Sequence, residues 1–223
     1  MKLSVIVTAG GSSSRYGKKN KLLEKLNGKE VILHSIEAFL PFEPFEIVVS
    51  TSEFLEPEIK KIAKDIKNLK IVRGGDTRQA SIFNALKICD APDVVAIHDA
   101  ARPLIKKCDI AKCIEKALAT KAAIVAVKAV DTIKKVDDNG KILETPNRSA
   151  LWAVQTPQIF DYRLIYDAHK ELIGQAFSDD SGMLEFLGKD VYVVEGCYSN
   201  IKITTKTDFY LAQQLMNEKT TED

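Results

Sequence analysis

The chain is 223 residues long with 45% hydrophobic residues, enough to bury a sizeable core within one α/β domain, and a single domain spanning 1–223 is expected. Its 32 basic and 31 acidic residues leave a net charge of +1, so no overall field recruits nucleic acid or an anionic membrane, and any affinity for anions must be local. The apolar N-terminal run is too short for a secretory leader and nothing approaches a membrane span, which points to the cytoplasm.

The first predicted element is the strand LSVIVTA (3–9), and directly after it comes AGGSSSRYGKKNK (9–21). That segment is close to a phosphate-binding Walker loop but does not match one. Gly11 and Gly17 have five residues between them, and Lys18 is followed by Lys19 instead of a hydroxyl residue. Lys18, Lys19, Lys25 and Lys29 read as a solvated face.

Further along, EIVVST (46–51), KIV (70–72), VVAIH (94–98), AAIVAV (122–127) and VYVVE (191–195) read as buried parallel strands, being apolar nearly throughout. Between them Leu55, Ile59, Ile62 and Ile66, then Ile110, Ile114 and Leu118, then Ile165, Ala168 and Leu172 recur at helical spacing. Strand and helix in alternation predict a Rossmann-like, doubly wound, mostly parallel sheet that binds ligands at the carboxyl ends of its strands. Strand-end loops are therefore the places to search: GGDTRQAS (74–81), HDAARP (98–103), QTPQIF (155–160), SDDS (178–181) and NIKIT (200–204).

One segment breaks the alternation. TIKKV, DDNG and KILET (132–145) form two short runs around an Asn-Gly turn, a hairpin signal. An isolated hairpin is marginal in water. The arm at about 131–148 is therefore expected to lean on a second subunit, the alternative being a hairpin folded back on its own domain. Cys89, Cys108, Cys113 and Cys197 have no C-x-x-C spacing and none of His34, His98 or His169 lies close to one, so no zinc site is expected.

AGGSSSRYG with Lys21, then GGDTRQAS, HDAARP, AVDT, NRSALW, QTPQIF, SDDS and EGCYSNIKIT, in that order, closely resemble the 2-C-methyl-D-erythritol 4-phosphate cytidylyltransferases over essentially the whole chain. The resemblance implies transfer of CMP from CTP to a polyol phosphate with release of pyrophosphate, with Mg2+ held mainly through the CTP phosphates. It implies catalytic roles for Arg15, Lys21 and Lys202. It places the nucleotide on Ala9, Gly10, Gly11, Ser12, Ser13, Ser14, Gly75, Asp76 and Ser81. It places the acceptor on Asp99, Arg102, Thr156 and Ser178, with Thr132 and Arg148 sent into the neighbouring subunit's site of a homodimer. No residue is implied as a metal ligand.

Departures from the commoner family pattern are Gly10 for alanine, Ser13 for glycine and Ser178 for threonine. The ribitol 5-phosphate cytidylyltransferases share fold, nucleotide and reaction, but the alanine pair of HDAARP and the Leu-Trp of NRSALW look more like the methylerythritol enzymes. A dinucleotide-binding oxidoreductase would open its first helix with G-x-G-x-x-G and end its second strand on an acid, and this chain does neither. A silent scaffold would not need Arg15, Lys21, Asp99 and Lys202 together. Some relatives carry a fused cyclase domain; here the last predicted helix, DFYLAQQLM, is followed by a few residues only, and one activity is expected.

Overall fold

The computed structural model describes residues 1–10, 16 and 20–220. In chain order the elements are β1 (Leu3–Ala9), β2 (Lys25–Leu26), β3 (Lys29–Glu30), α1 (Val31–Glu37), β4 (Glu46–Thr51), α2 (Glu56–Ile62), β5 (Leu69–Arg73), α3 (Arg78–Ile88), β6 (Val94–Asp99), α4 (Lys107–Thr120), β7 (Ala122–Lys128), β8 (Lys135–Val136), β9 (Ile142–Glu144), β10 (Trp152–Asp161), α5 (Tyr162–Glu171), α6 (Asp180–Phe186), β11 (Tyr192–Glu195) and α7 (Lys206–Thr220). Seven of the strands form the central sheet, in the order β11-β7-β10-β6-β1-β4-β5. Its pairings are parallel except for those of β10, which runs antiparallel to both neighbours.

Successive side chains of a strand point to opposite faces, and β1 shows how each face is filled. Leu3, Val5, Val7 and Ala9 belong to one buried cluster, where Ile32 and Ile36 of α1, Ile59 of α2, Ile110 and Cys113 of α4, and Phe209 and Ala212 of α7 cover the sheet. Ile6 belongs to the other, with Val48, Val95 and Ile97 against Ile82 and Leu86 of α3, Ile165 of α5 and Leu184 of α6. Helices on both faces explain why the inner strands are apolar without alternation; VYVVE, expected to be buried as well, is instead the edge strand β11, with Tyr192 and Val193 exposed. The expected stripe on α4 needs one correction. Leu118 is exposed, and Cys113 and Ala117 complete the buried face with Ile110 and Ile114.

The chain runs from β1 outward through β4 to β5, then crosses back to place β6 on the other side of β1. The order of winding reverses between β1 and β6. A crevice opens at such a reversal beyond the carboxyl ends of the strands, and ligands bind there. Thr8 and Asp99 are register partners at that edge.

QTPQIF, expected as a loop, lies inside β10. A proline in a run argues against a central strand because it cannot donate to the ladder. Here the ladder steps aside for it. Val154 pairs with Ala126 and Gln158 with Ile124, so residues 155–157 bulge out of register, and the Thr156-Pro157 peptide is cis.

The expected hairpin is present as β8 and β9. The Asp137 carboxylate accepts from the backbone N–H of Asn139 and Lys141, and Gly140 takes the left-handed conformation (φ +81°) that closes a three-residue loop with a bulge. Val130, Ile133, Val136, Ile142 and Leu143 of this arm are exposed.

Candidate active site

Two adjoining chambers occupy the crevice. The first, about 230 Å3, is lined by Thr8 and Gly10 from the end of β1, by Lys21 and Leu22, and by Gly75, Asp76, Thr77 and Ser81 from the β5–α3 turn. The second, about 470 Å3, is lined by Arg102, by Val154, Gln155, Thr156 and Gln158 of β10, and by Ser178, Asp179, Ser181, Gly182 and Glu185. Arg78, Asp99 and Lys202 line both. They are the wall the chambers share.

Asp99 ends β6 and its side chain is only 9% exposed. Lys202 Nζ lies 2.7 Å from its Oδ2, Arg102 Nε 3.7 Å from the same oxygen, and Arg78 Nε 3.8 Å from Oδ1, while the Thr8 hydroxyl donates to Oδ1 at 3.2 Å. Burial alone would raise this carboxyl, but Lys202, Arg78 and Arg102 outweigh it and hold Asp99 far below the usual carboxylate range. Three cations thus stand at the shared wall, facing Asp99 and, for Arg78, Asp180 as well. Phosphate chemistry needs positive charge placed where negative charge collects.

Each cation is held by a separate part of the chain. Lys202 is presented by an extended segment tied down by the Ile203 N–H donating to the Ala101 carbonyl (2.8 Å). Arg102 Nη1 donates to the Asn200 carbonyl (2.8 Å), and Asn200 in turn donates to Gln155 Oε1 and the Thr156 carbonyl. Arg78 opens α3, whose N-cap Thr77 accepts from the Ala80 N–H. Lys21 opens a single 3-10 turn capped by Asn20, whose side chain accepts from the Leu22 N–H.

The β5–α3 turn is folded tightly on its helix. Ser81 Oγ accepts from the Gly75 N–H at 3.0 Å and lies 2.8 Å from the Thr77 carbonyl, and a Cβ on Gly75 would stand 2.5 Å from Ala80 Cβ. No larger residue fits there without moving the turn. Ser81 lines the first chamber, yet its hydroxyl is spent on the turn.

Thr156, expected at the acceptor, lines the second chamber but also acts inward. Its hydroxyl accepts from the Asp99 N–H (3.0 Å) and faces His98 Nδ1 (3.0 Å), while His98 Nε2 faces the Arg102 carbonyl (3.1 Å). A carbonyl only accepts, so Nε2 carries the hydrogen and Nδ1 accepts from Thr156. The ring is fully buried, and burial pushes His98 down to about 4.

The unfolded imidazole titrates near 6.5, so between pH 6.5 and 4 the unfolded chain takes up a proton that the folded chain refuses. Stability is complete above pH 6.5 and falls as pH drops toward 4. Urea unfolding at pH 7 and pH 5 is expected to differ by about 2 kcal/mol from this group alone. His98→Gln should remove that part of the slope; an unchanged slope would assign it to other groups.

Of the expected site residues, Gly10, Lys21, Gly75, Asp76 and Ser81 line the first chamber, Arg102, Thr156 and Ser178 the second, and Asp99 and Lys202 both. Ala9 is buried beneath, its carbonyl accepting from Thr51 Oγ1. Gly11, Ser12, Ser13, Ser14 and Arg15 lie outside the described residues. Thr132 and Arg148 are exposed on the arm and line neither chamber of their own chain; Arg148 Nη1 donates to the Val130 carbonyl. Sequence reasoning missed Arg78, which differs in no local way from a solvated helix-start arginine, and Gln158, whose side chain organises the SDDS turn by accepting from the Asp180 and Ser181 N–H groups and donating to Asp179.

Among the described residues no three His, Cys, Asp or Glu side chains are grouped to hold a metal ion, and no helix is long and apolar enough to cross a membrane.

A doubly wound sheet whose winding reverses at a crevice with two adjoining chambers and lysines and arginines in their walls is suited to hold a phosphorylated ligand beside a second one; the relatives it matches place it among the nucleotidyltransferases. Residues 3–218 match the 2-C-methyl-D-erythritol 4-phosphate cytidylyltransferase family. The chain is 41% identical over 227 residues to the enzyme of that name from Caldanaerobacter subterraneus, covering 98% of this chain and 100% of the relative. It is 42% identical to that from Dictyoglomus thermophilum, covering 97% of each. The crystal structure of 4-diphosphocytidyl-2C-methyl-D-erythritol synthase from Anaerococcus prevotii superposes with a TM-score of 0.87 at 34% identity, over 97% of this chain and 98% of that one. The Thermus thermophilus cytidylyltransferase gives 0.81 at 28% identity, over 96% and 98%. The chain belongs to the 2-C-methyl-D-erythritol 4-phosphate cytidylyltransferase family.

Proposed function

We propose that the chain transfers CMP from CTP to 2-C-methyl-D-erythritol 4-phosphate, with CTP in the smaller chamber and the polyol phosphate in the larger. The observation that carries this arrangement is the wall of Arg78, Asp99 and Lys202 common to both chambers. An oxygen of the acceptor phosphate attacks the α-phosphorus, the bond from that phosphorus to the bridging β-phosphate oxygen breaks, and pyrophosphate leaves. The acceptor is already an anion, so a protein base is not required; the work is alignment and neutralisation.

In this reading Lys202 and Lys21 meet the charge that gathers on the α-phosphate, with Arg15 and the backbone of Gly11 to Ser14 on the departing pyrophosphate. Asp76, Gly75 and the backbone of Gly10 stand at the base, above the buried Ala9. Ser178 receives the acceptor phosphate, and Asp99, fixed as an anion, accepts from polyol hydroxyls, with Arg102 and Thr156 beside it. The donor set fits magnesium carried by the nucleotide: Asp99 is already paired with cations, and Asp76 is the other carboxylate among the described residues of the smaller chamber, too few for a protein-held ion, so its ligands would be mainly triphosphate oxygens and water. When bound, the ion would neutralise phosphate charge.

The exposed apolar residues of the arm support a homodimer in which Thr132 and Arg148 reach the partner's acceptor chamber. Pyrophosphate release with CTP and magnesium, measured separately with methylerythritol phosphate and ribitol phosphate, tests the substrate. Methylerythritol phosphate should be turned over and CTP should outperform UTP and ATP. A preference for ribitol phosphate would overturn the acceptor assignment while leaving the reaction.

A further inference from the structure

We propose that His169 is a positioning residue for the transfer site, acting through Asp180 on Arg78. The inference rests on the function proposed above.

His169 lies on α5 with its side chain fully buried, stacked on Phe83 with ring centroids 6.0 Å apart and planes 12° apart. An apolar side chain could fill that place without the cost of burying a polar ring. The ring makes one polar contact: Nε2 lies 3.2 Å from Asp180 Oδ1, and Nδ1 has no hydrogen-bond partner among the described residues. A carboxylate only accepts, so Nε2 carries the hydrogen. The other oxygen of Asp180, Oδ2, lies 2.7 Å from Arg78 Nη1. Burial alone would raise the Asp180 carboxyl, but Arg78 and His169 hold it below its ordinary range, so both oxygens carry charge.

The two oxygens are thus divided, one to His169 and one to Arg78. Arg78 is in turn divided between Asp180 through Nη1 and Asp99 through Nε at 3.8 Å. Without the His169 donor, Oδ1 would be a buried charged oxygen with no partner, a state that costs more than an ordinary lost hydrogen bond. The carboxylate can relieve it by turning both oxygens onto the guanidinium, since arginine and carboxylate favour a two-pronged pair. That movement would draw Arg78 toward Asp180 and away from Asp99. One cation would then leave the wall that both chambers share.

The test compares His169→Leu, which fills the space but donates nothing, with His169→Gln, whose amide N–H reaches where Nε2 stands. Because Arg78 lines both chambers, in steady-state assays the Leu variant should raise the KM for both the polyol phosphate and CTP, on the order of tenfold, and the Gln variant should stay near wild type in both. If the Leu variant does not fold, His169→Phe keeps the stack on Phe83 and takes its place. A Leu variant with wild-type constants, or equal losses in Leu and Gln, would each assign His169 to packing alone and overturn the proposal. Wild-type protein inactive on this substrate pair would instead overturn the function, and the role of His169 with it.

Discussion

Lys202→Ala is expected to turn over on the order of a hundred- to a thousandfold more slowly than the wild-type chain, with a much smaller change in CTP affinity. The reason lies in its ground-state partner. Lys202 Nζ sits 2.7 Å from Asp99 in a wall that carries two further cations, so removing it leaves Asp99 paired and the fold intact. What is lost is positive charge on the transferring phosphoryl group, which matters most when that group is between donor and acceptor. An interaction of that kind appears in kcat more than in binding. Lys21→Ala should behave alike from the nucleotide side. Near-normal kcat in either variant, measured by pyrophosphate release at saturating substrates, would return that lysine to the role of a solvated charge.

A second large effect is expected from mixing two inactive proteins. Lys21→Ala should disable the nucleotide side of a site and Arg148→Ala the acceptor side. If the arm delivers Arg148 across a two-fold axis, a mixed dimer gathers both lesions in one site and leaves the other with neither. Re-equilibrating equal amounts of the two variants should then restore up to about a quarter of wild-type activity, as random pairing puts half of the subunits in mixed dimers with one restored site each. Tagging one variant and recovering the other with it shows that exchange took place. Mixed dimers that form and stay dead would mean that Arg148 serves its own chain, and a fully active monomer would end the shared-site reading.

Much of the fold was legible because its inner strands are buried on both faces. LSVIVTA and EIVVST carry no polar alternation to confuse, and their bounds in the structure coincide with their apolar runs. The strand β10 was not legible, because Pro157 and the polar Gln155, Thr156 and Gln158 look like a loop until the bulge and the neighbouring strands are in place. In the site, Asp99, Arg102 and Lys202 stood out in strand-end motifs, and the structure brings them within a few ångströms of one another. Arg78, Asp180 and His169 stayed hidden, since their contacts join residues far apart in the chain and none differs locally from a charged or polar residue on a helix. The inward use of Thr156 and Ser81 was equally hidden: a hydroxyl in a motif does not say which way it faces.

The bulge in β10 makes that strand mechanically two strands in series. Trp152 to Val154 keep step with Lys128 to Ala126 beside the arm, while Gln158 to Phe160 keep step with Ile124 to Ala122 in the core. The halves are joined by residues 155–157, which have no ladder partner in either neighbouring strand. Gln155 and Thr156 sit at that joint, bonded to Asn200 and His98. The acceptor wall is therefore built where the ladder is interrupted, its residues held by side-chain bonds instead of by strand pairing.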